Sequence, residues 1–130
     1  MAPIETRTAT VFLLKENFVK MIMKEDVVLD LDDMIENHEA ENKVNNNKPH
    51  VILIDTRLNS VSTDEARKFS AGEEPAKYRI ALAFLFDGLS GRIVANSYLN
   101  LYHPKFPTQK FCDENEAIQW LESMLKKHNH

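Results

Sequence analysis

The sequence predicts an α/β domain: a mixed β-sheet, opened by an N-terminal hairpin and continued by parallel strands, that carries about four helices mainly on one face. Three observations predict it. Two apolar, β-branched runs near the start, residues 8–14 (TATVFLL) and 18–23 (FVKMIM), are separated only by Lys15, Glu16 and Asn17, which is hairpin spacing. Two later runs, residues 51–54 (VILI) and 79–86 (RIALAFLF), are nearly continuous in apolar residues, as in strands covered on both faces. Elsewhere apolar residues recur at the helical period.

Taken in order, the hairpin comes first, and the alternation of Lys20 and Lys24 with Met21 and Met23 predicts a second strand with one wet face. Leu31, Met34, Ile35 and His38 then mark a first helix, with Asp30 as N-cap and Asp32 and Asp33 favourable in the first turn. It should end before Asn45, Asn46, Asn47, Lys48 and Pro49, a group of turn formers closed by a proline that disfavours helix in the preceding residue. Residues 51–54 make the central buried strand. A short helix over residues 63–70 follows, then a loop over residues 71–75 and the second buried strand. Asp87 to Gly91 turns the chain into a third helix marked by Val94, Tyr98, Leu101 and Tyr102, which Pro104 and Pro107 end. Residues 109–112 read as a short edge strand. Asp113, with Glu116 three positions on, starts a fourth helix with an apolar stripe of Ala117, Ile118, Leu121, Met124 and Leu125. Strands alternating with helices imply right-handed crossovers between parallel strands.

The 130 residues suit one domain, 1–130, with a single core, and 43% hydrophobic and 28% charged residues are ordinary for a globular protein. Acids outnumber bases, 20 to 16, and no Lys/Arg cluster is interleaved with aromatics, so nucleic acid is not an expected partner. The apolar runs are too short to span a bilayer. One cysteine, Cys112, and no basic-then-apolar leader point to a reducing cytoplasm.

The element order, the buried strand ending at Asp55 before a hydroxyl-started helix, and the closing FCDENEAIQWL resemble the SpoIIAA-like fold of STAS domains. The segment RIALAF, together with Phe111 and the Ala117-Ile118-Gln119-Trp120-Leu121 stretch, is similar to small bacterial STAS/SEC14-like proteins. The resemblance implies a non-catalytic module that binds a protein partner or, in the SEC14-like alternative, carries or senses a small apolar or anionic molecule. It also implies a third reading, the anti-sigma-factor-antagonist switch, in which a serine at the start of the helix after the central strand is phosphorylated. Ser60, Ser62 and Thr63 occupy that neighbourhood, with Ser62 and Thr63 the candidate phosphoacceptors. The antagonist pattern, Asp-Ser followed by a small residue and a leucine, is replaced here by Ser62-Thr63-Asp64-Glu65-Ala66, whose acids would repel an added phosphate.

The residues themselves offer further readings. Ser62 with Glu65 fits a capping box, which needs no function. Asp55 and Arg57 end a central strand where open α/β sheets bind ligands, and either orient a partner or pair with each other or the next helix. Gly88, Ser90 and Arg92 form a strand-to-helix turn whose amides and guanidinium suit an anion; Ser90 as a cap explains the same residues. The expected binding set is therefore Asp55, Arg57, Ser60, Gly88, Ser90 and Arg92. No nucleophile with its base is recognisable, so no catalytic residue, enzyme activity or cofactor is expected. His38, His50, His103, His128 and His130 show no metal-ligand spacing apart from the closing pair, and no metal is expected. His38, among Glu36, Glu39 and Glu41, reads as solvated or half-buried, and Cys112 as a small core residue. A protein partner is the first expectation, a small ligand the second; a homodimer is compatible with either.

Overall fold

The computed structural model describes residues 2–88, 93 and 101–129. Among them the elements run β1 (Ile4–Glu5), β2 (Ala9–Lys15), β3 (Phe18–Met23), β4 (Val28–Leu29), α1 (Leu31–Val44), β5 (His50–Asp55), β6 (Val61–Ser62), α2 (Asp64–Ser70), α3 (Glu73–Ala76), β7 (Arg79–Leu85), β8 (Thr108–Phe111) and α4 (Glu114–His128). Six strands form one sheet in the order β1-β2-β3-β5-β7-β8. The first three are antiparallel and the rest parallel, with Phe18 opposite Val51, Asp55 opposite Leu85 and Leu85 opposite Phe111. The hairpin turns at Asn17, whose φ of 59° lies in the left-handed region that asparagine tolerates better than most residues.

Each parallel strand is added on the same side of the one before it. Right-handed crossovers then put the described connecting helices on the same face, which is why α1, α2 and α3 lie together. On that face Val19, Met21, Ile52, Ile54 and Leu82 of the sheet meet Ala40 and Val44 of α1. The opposite face presents Phe18, Val51, Leu53, Ala81, Ala83 and Leu85. It is covered by α4, the one helix with no strand after it, through Ala117 and Leu121. All six residues of β5 are buried between these layers.

Local signals account for the helix ends. Asp30 caps α1 in a reciprocal box, its carboxylate accepting from the Asp33 amide (2.9 Å) while the Asp33 carboxylate accepts from the Asp30 amide (3.1 Å). Asn45 closes α1, and Asn46 and Asn47, both at φ 55°, turn the chain. Asp113 caps α4 by accepting from the amides of Asn115 and Glu116.

Three expectations change. The loop expected over residues 71–75 contains α3, in which Pro75 is tolerated because it sits in the first turn, where no intrahelical N–H bond is lost. The wet face expected of β3 is covered instead by α4, and the Lys20 ammonium, 12% exposed, pairs there with Glu114 at 2.7 Å. Cys112 falls just beyond β8 and is exposed. The expected third helix at Val94 and Tyr98 lies outside the described residues.

Candidate functional site

Between the sheet and its helical layer, at the carboxyl ends of β3 and β5, lies a cavity of about 190 Å³. Its floor is Met21 and Met23 of β3, Ile54 of β5 and Phe84 of β7; Met34 and Asn37 of α1 close one side. Its outer wall is the small parallel sheet of β4 and β6, in which Val28 stands opposite Val61 and Leu29 opposite Ser62. That wall is held by hydrogen bonds from the Val61 amide to the Val27 carbonyl and from the Thr63 amide to the Leu29 carbonyl. Polar groups also line it: Arg57, Asn59, Ser60, Ser62, Arg67 and Asp87. Three methionines give the interior an adaptable, polarizable surface. Asn37, fully buried, accepts from the Thr6 hydroxyl and donates to the Thr8 hydroxyl at 2.9 Å, which fixes its amide at the cavity wall.

The sequence-predicted residues fall into separate groups. Asp55 and Arg57 pair with each other through Nε to Oδ1 (3.0 Å) and Nη2 to Oδ2 (2.8 Å), and the Arg57 amide also donates to Oδ1. Arg57 Nη2 reaches Glu114 at 3.2 Å, and Lys20 completes a balanced group of two cations and two carboxylates tying the start of α4 to β3 and β5. Burial acts to raise the Asp55 pKa, but the Arg57 hydrogen bonds and charge, with Lys20 farther off, leave it lowered. Asp55 raises Arg57 in turn, mainly through the same hydrogen bonds. Asp55 is thus a charged anchor and not a poised base. Gly88 takes φ 71°, a left-handed conformation suited to glycine. Ser90 and Arg92 lie outside the described residues.

The hydroxyl cluster divides as well. Ser60 and Ser62 line the cavity, whereas the expected Ser62 capping box gives way to a cap one residue later. Ser62 is drawn into β6, so Thr63 becomes the first residue free to take the cap, and its hydroxyl accepts from the Ala66 amide at 3.2 Å. Thr63→Ala is therefore expected to cost about 1 kcal/mol and Ser62→Ala less than half of that. Urea unfolding of the two variants checks the order, and the reverse order would restore the box.

A polar centre beneath the cavity escaped the sequence. Glu41 of α1, fully buried, accepts from Arg79 Nε (2.8 Å) and Nη2 (2.7 Å) and lies 2.6 Å from His50 Nε2. Arg79 extends to Ser70 of the cavity wall, with Nη1 3.4 Å from both its carbonyl and its hydroxyl. Burial pushes the Glu41 pKa up, but the Arg79 charge and hydrogen bonds, with those of His38 and His50, overcome it and hold the carboxyl well below its usual range. His38 is buried rather than solvated, its ring edge-on to Phe69 at 5.6 Å, because α2 packs over that face of α1. The available signal was spacing: Met34, Asn37, His38, Glu41 and Val44 form one helical stripe, but three of its five members are polar. No group of three His, Cys, Asp or Glu side chains among the described residues is arranged to hold a metal ion, and no helix among them is long and apolar enough to cross a membrane.

Comparison with known proteins gives the architecture a context. A crystal structure of an uncharacterized protein from the DUF3478 family with a SpoIIAA-like fold, from Shewanella loihica PV-4, is similar to this chain with a TM-score of 0.64. The likeness covers 93% of this chain and 98% of that one at 15% identity, and the fold is SpoIIAA-like. No curated protein matches the sequence. The family model described as Domain of unknown function (DUF7793) matches residues 12–125.

Proposed function

For this chain, which belongs to the DUF7793 family, we propose a cytoplasmic, non-catalytic role in which the cavity at the sheet's carboxyl ends holds a small, largely apolar molecule. The observation that carries this reading is the cavity itself, walled by methionine, isoleucine and phenylalanine and edged by a few polar groups, the composition usual for small-molecule sites. The space of about 190 Å³ is partly open to solvent, so an apolar occupant would remove its largely apolar lining from water. The ionisable groups nearby support a binding role over a chemical one: Asp55 is committed to Arg57, and Glu41 to Arg79 and His50.

A second reading, a protein partner on the same end of the sheet, draws on Val28, Leu58 and Val61. All three are large apolar side chains close to half exposed or more, and they flank the cavity's outer wall. The two readings combine if occupancy of the cavity sets the position of β4 and β6. A phosphate switch at Thr63 is the weakest, since its hydroxyl is engaged as a cap beside Asp64 and Glu65.

The test is thermal unfolding of the purified protein with 1-octanol. At about 100 times its dissociation constant, a ligand of the folded state adds about 2.7 kcal/mol of stability. An unchanged or lowered midpoint across the octanol series would count against the cavity reading.

A further inference from the structure

We propose that the cavity's occupant is a small apolar monocarboxylate and that Arg67 receives its head group. This deepens the cavity reading above and rests on it. Among the described residues, Arg7 pairs with Asp33, Arg57 with Asp55 and Glu114, and Arg79 with Glu41. Arg67 differs: it lines the cavity and has no carboxylate within ion-pair distance among those residues. Of the two acids that precede it in the same helix, Glu65 makes no ion pair among those residues, and Asp64 already takes the Tyr102 hydroxyl on one oxygen and Lys68 on the other.

Arg67 is nevertheless held in place. Its Nε and Nη2 both donate to the Ser62 carbonyl, and its guanidinium stands 5.9 Å from the centre of the Tyr102 ring. The fork is therefore fixed before any ligand arrives, and Nη1 is left with no acceptor among the described residues. The Ser60 and Ser62 hydroxyls on the same lining likewise make no hydrogen bond among those residues. A preorganised cation and two open hydroxyls at the edge of an apolar cavity match an anion joined to an apolar body. Asp87 on the same lining opposes a second negative charge, which favours a monoanion over a phosphate. As for size, a dry cavity of about 150 Å³ takes benzene. The space here therefore suits one ring or a short alkyl chain.

The experiment is calorimetric titration of the protein and of Arg67→Gln with octanoate, 1-octanol and octyl phosphate at pH 7.5 and low salt. The wild type is expected to bind octanoate about tenfold or more tightly than 1-octanol, the value of one charge-assisted contact. Arg67→Gln is expected to bring octanoate down to the level of 1-octanol while leaving 1-octanol within about threefold; that retained binding also shows that the variant is folded. Equal affinity for acid and alcohol in the wild type overturns the proposal and leaves the cavity reading standing. So does an unchanged octanoate affinity in the variant, an equal loss of both ligands there, or a preference for octyl phosphate. Binding of none of the three by the wild type overturns the cavity reading as well.

Discussion

Glu41→Gln is expected to lose about 3–5 kcal/mol of folding stability, the usual cost of removing one partner from a buried ion pair. The loss comes from what remains. Arg79, with its side chain 2% exposed, would keep its buried charge but lose the carboxylate that takes both its Nε and its Nη2. Since small domains have about 5–15 kcal/mol in total, such a loss puts the variant close to unfolding at moderate temperature. Urea denaturation measures it, and a difference below about 1 kcal/mol would mean that the guanidinium is satisfied elsewhere. The effect depends on pH with a definite sign. The native pKa of Glu41 lies below its ordinary 4.5, so the ionised group stabilises the fold above about that pH, and this contribution disappears as the pH falls through the native value. The gap between wild type and Glu41→Gln should therefore narrow on acidification. Asp33, drawn down to about 2 chiefly by the Arg7 hydrogen bonds, acts in the same direction.

Met34→Trp is expected to abolish stabilisation by 1-octanol. Met34 is on the first turn of α1 and is half-buried where the helix meets the cavity, so a larger ring there fills the space that the ligand needs. Inserting bulk into a packed core costs about 1–3 kcal/mol, but into a void the cost falls and can reverse. The variant should accordingly fold with near wild-type stability and yet lose some 2–3 kcal/mol of ligand-dependent stabilisation at saturating octanol. Met34→Leu, of similar volume, should keep the response. An unaltered octanol response in Met34→Trp would place the binding site elsewhere. Together with Glu41→Gln this separates the parts of α1: one position supports the fold, and the other, two turns away, supports occupancy.

Much of the fold was legible because its signals are local. The hairpin follows from two apolar runs three residues apart, α1 from Asp30 and its acidic first turn, and β5 and β7 from unbroken apolar stretches that only a doubly covered sheet explains. The cavity was not legible, since its outer wall consists of two strands of two residues each, too short for any period. Asp55 and Arg57 were recognisable as the end of a central strand. Their commitment to Glu114 and Lys20 joins residues far apart in the chain, and no spacing rule announces it. The buried centre was hidden differently. Pattern reading assigns the inner face of a helix by its apolar residues, and α1 buries polar ones there because distant residues arrive to meet them: Thr6 and Thr8 at Asn37, Phe69 at His38, and Arg79 and His50 at Glu41. Ser62 was misread by a single position, since a hydroxyl followed three residues later by Glu65 satisfies the box pattern whether or not a strand claims the serine first.

The five methionines provide the most direct measurement of the central claim. Met21, Met23 and Met34 line the cavity, whereas Met124, on α4, packs against the opposite face of the sheet. With the methionine methyl groups labelled with carbon-13, titration with octanoate should move the Met21, Met23 and Met34 signals along one saturable curve and leave Met124 in place. Shifts confined to Met124, or no saturable shift at any of the three cavity methionines, would contradict the assignment of this cavity as the binding site.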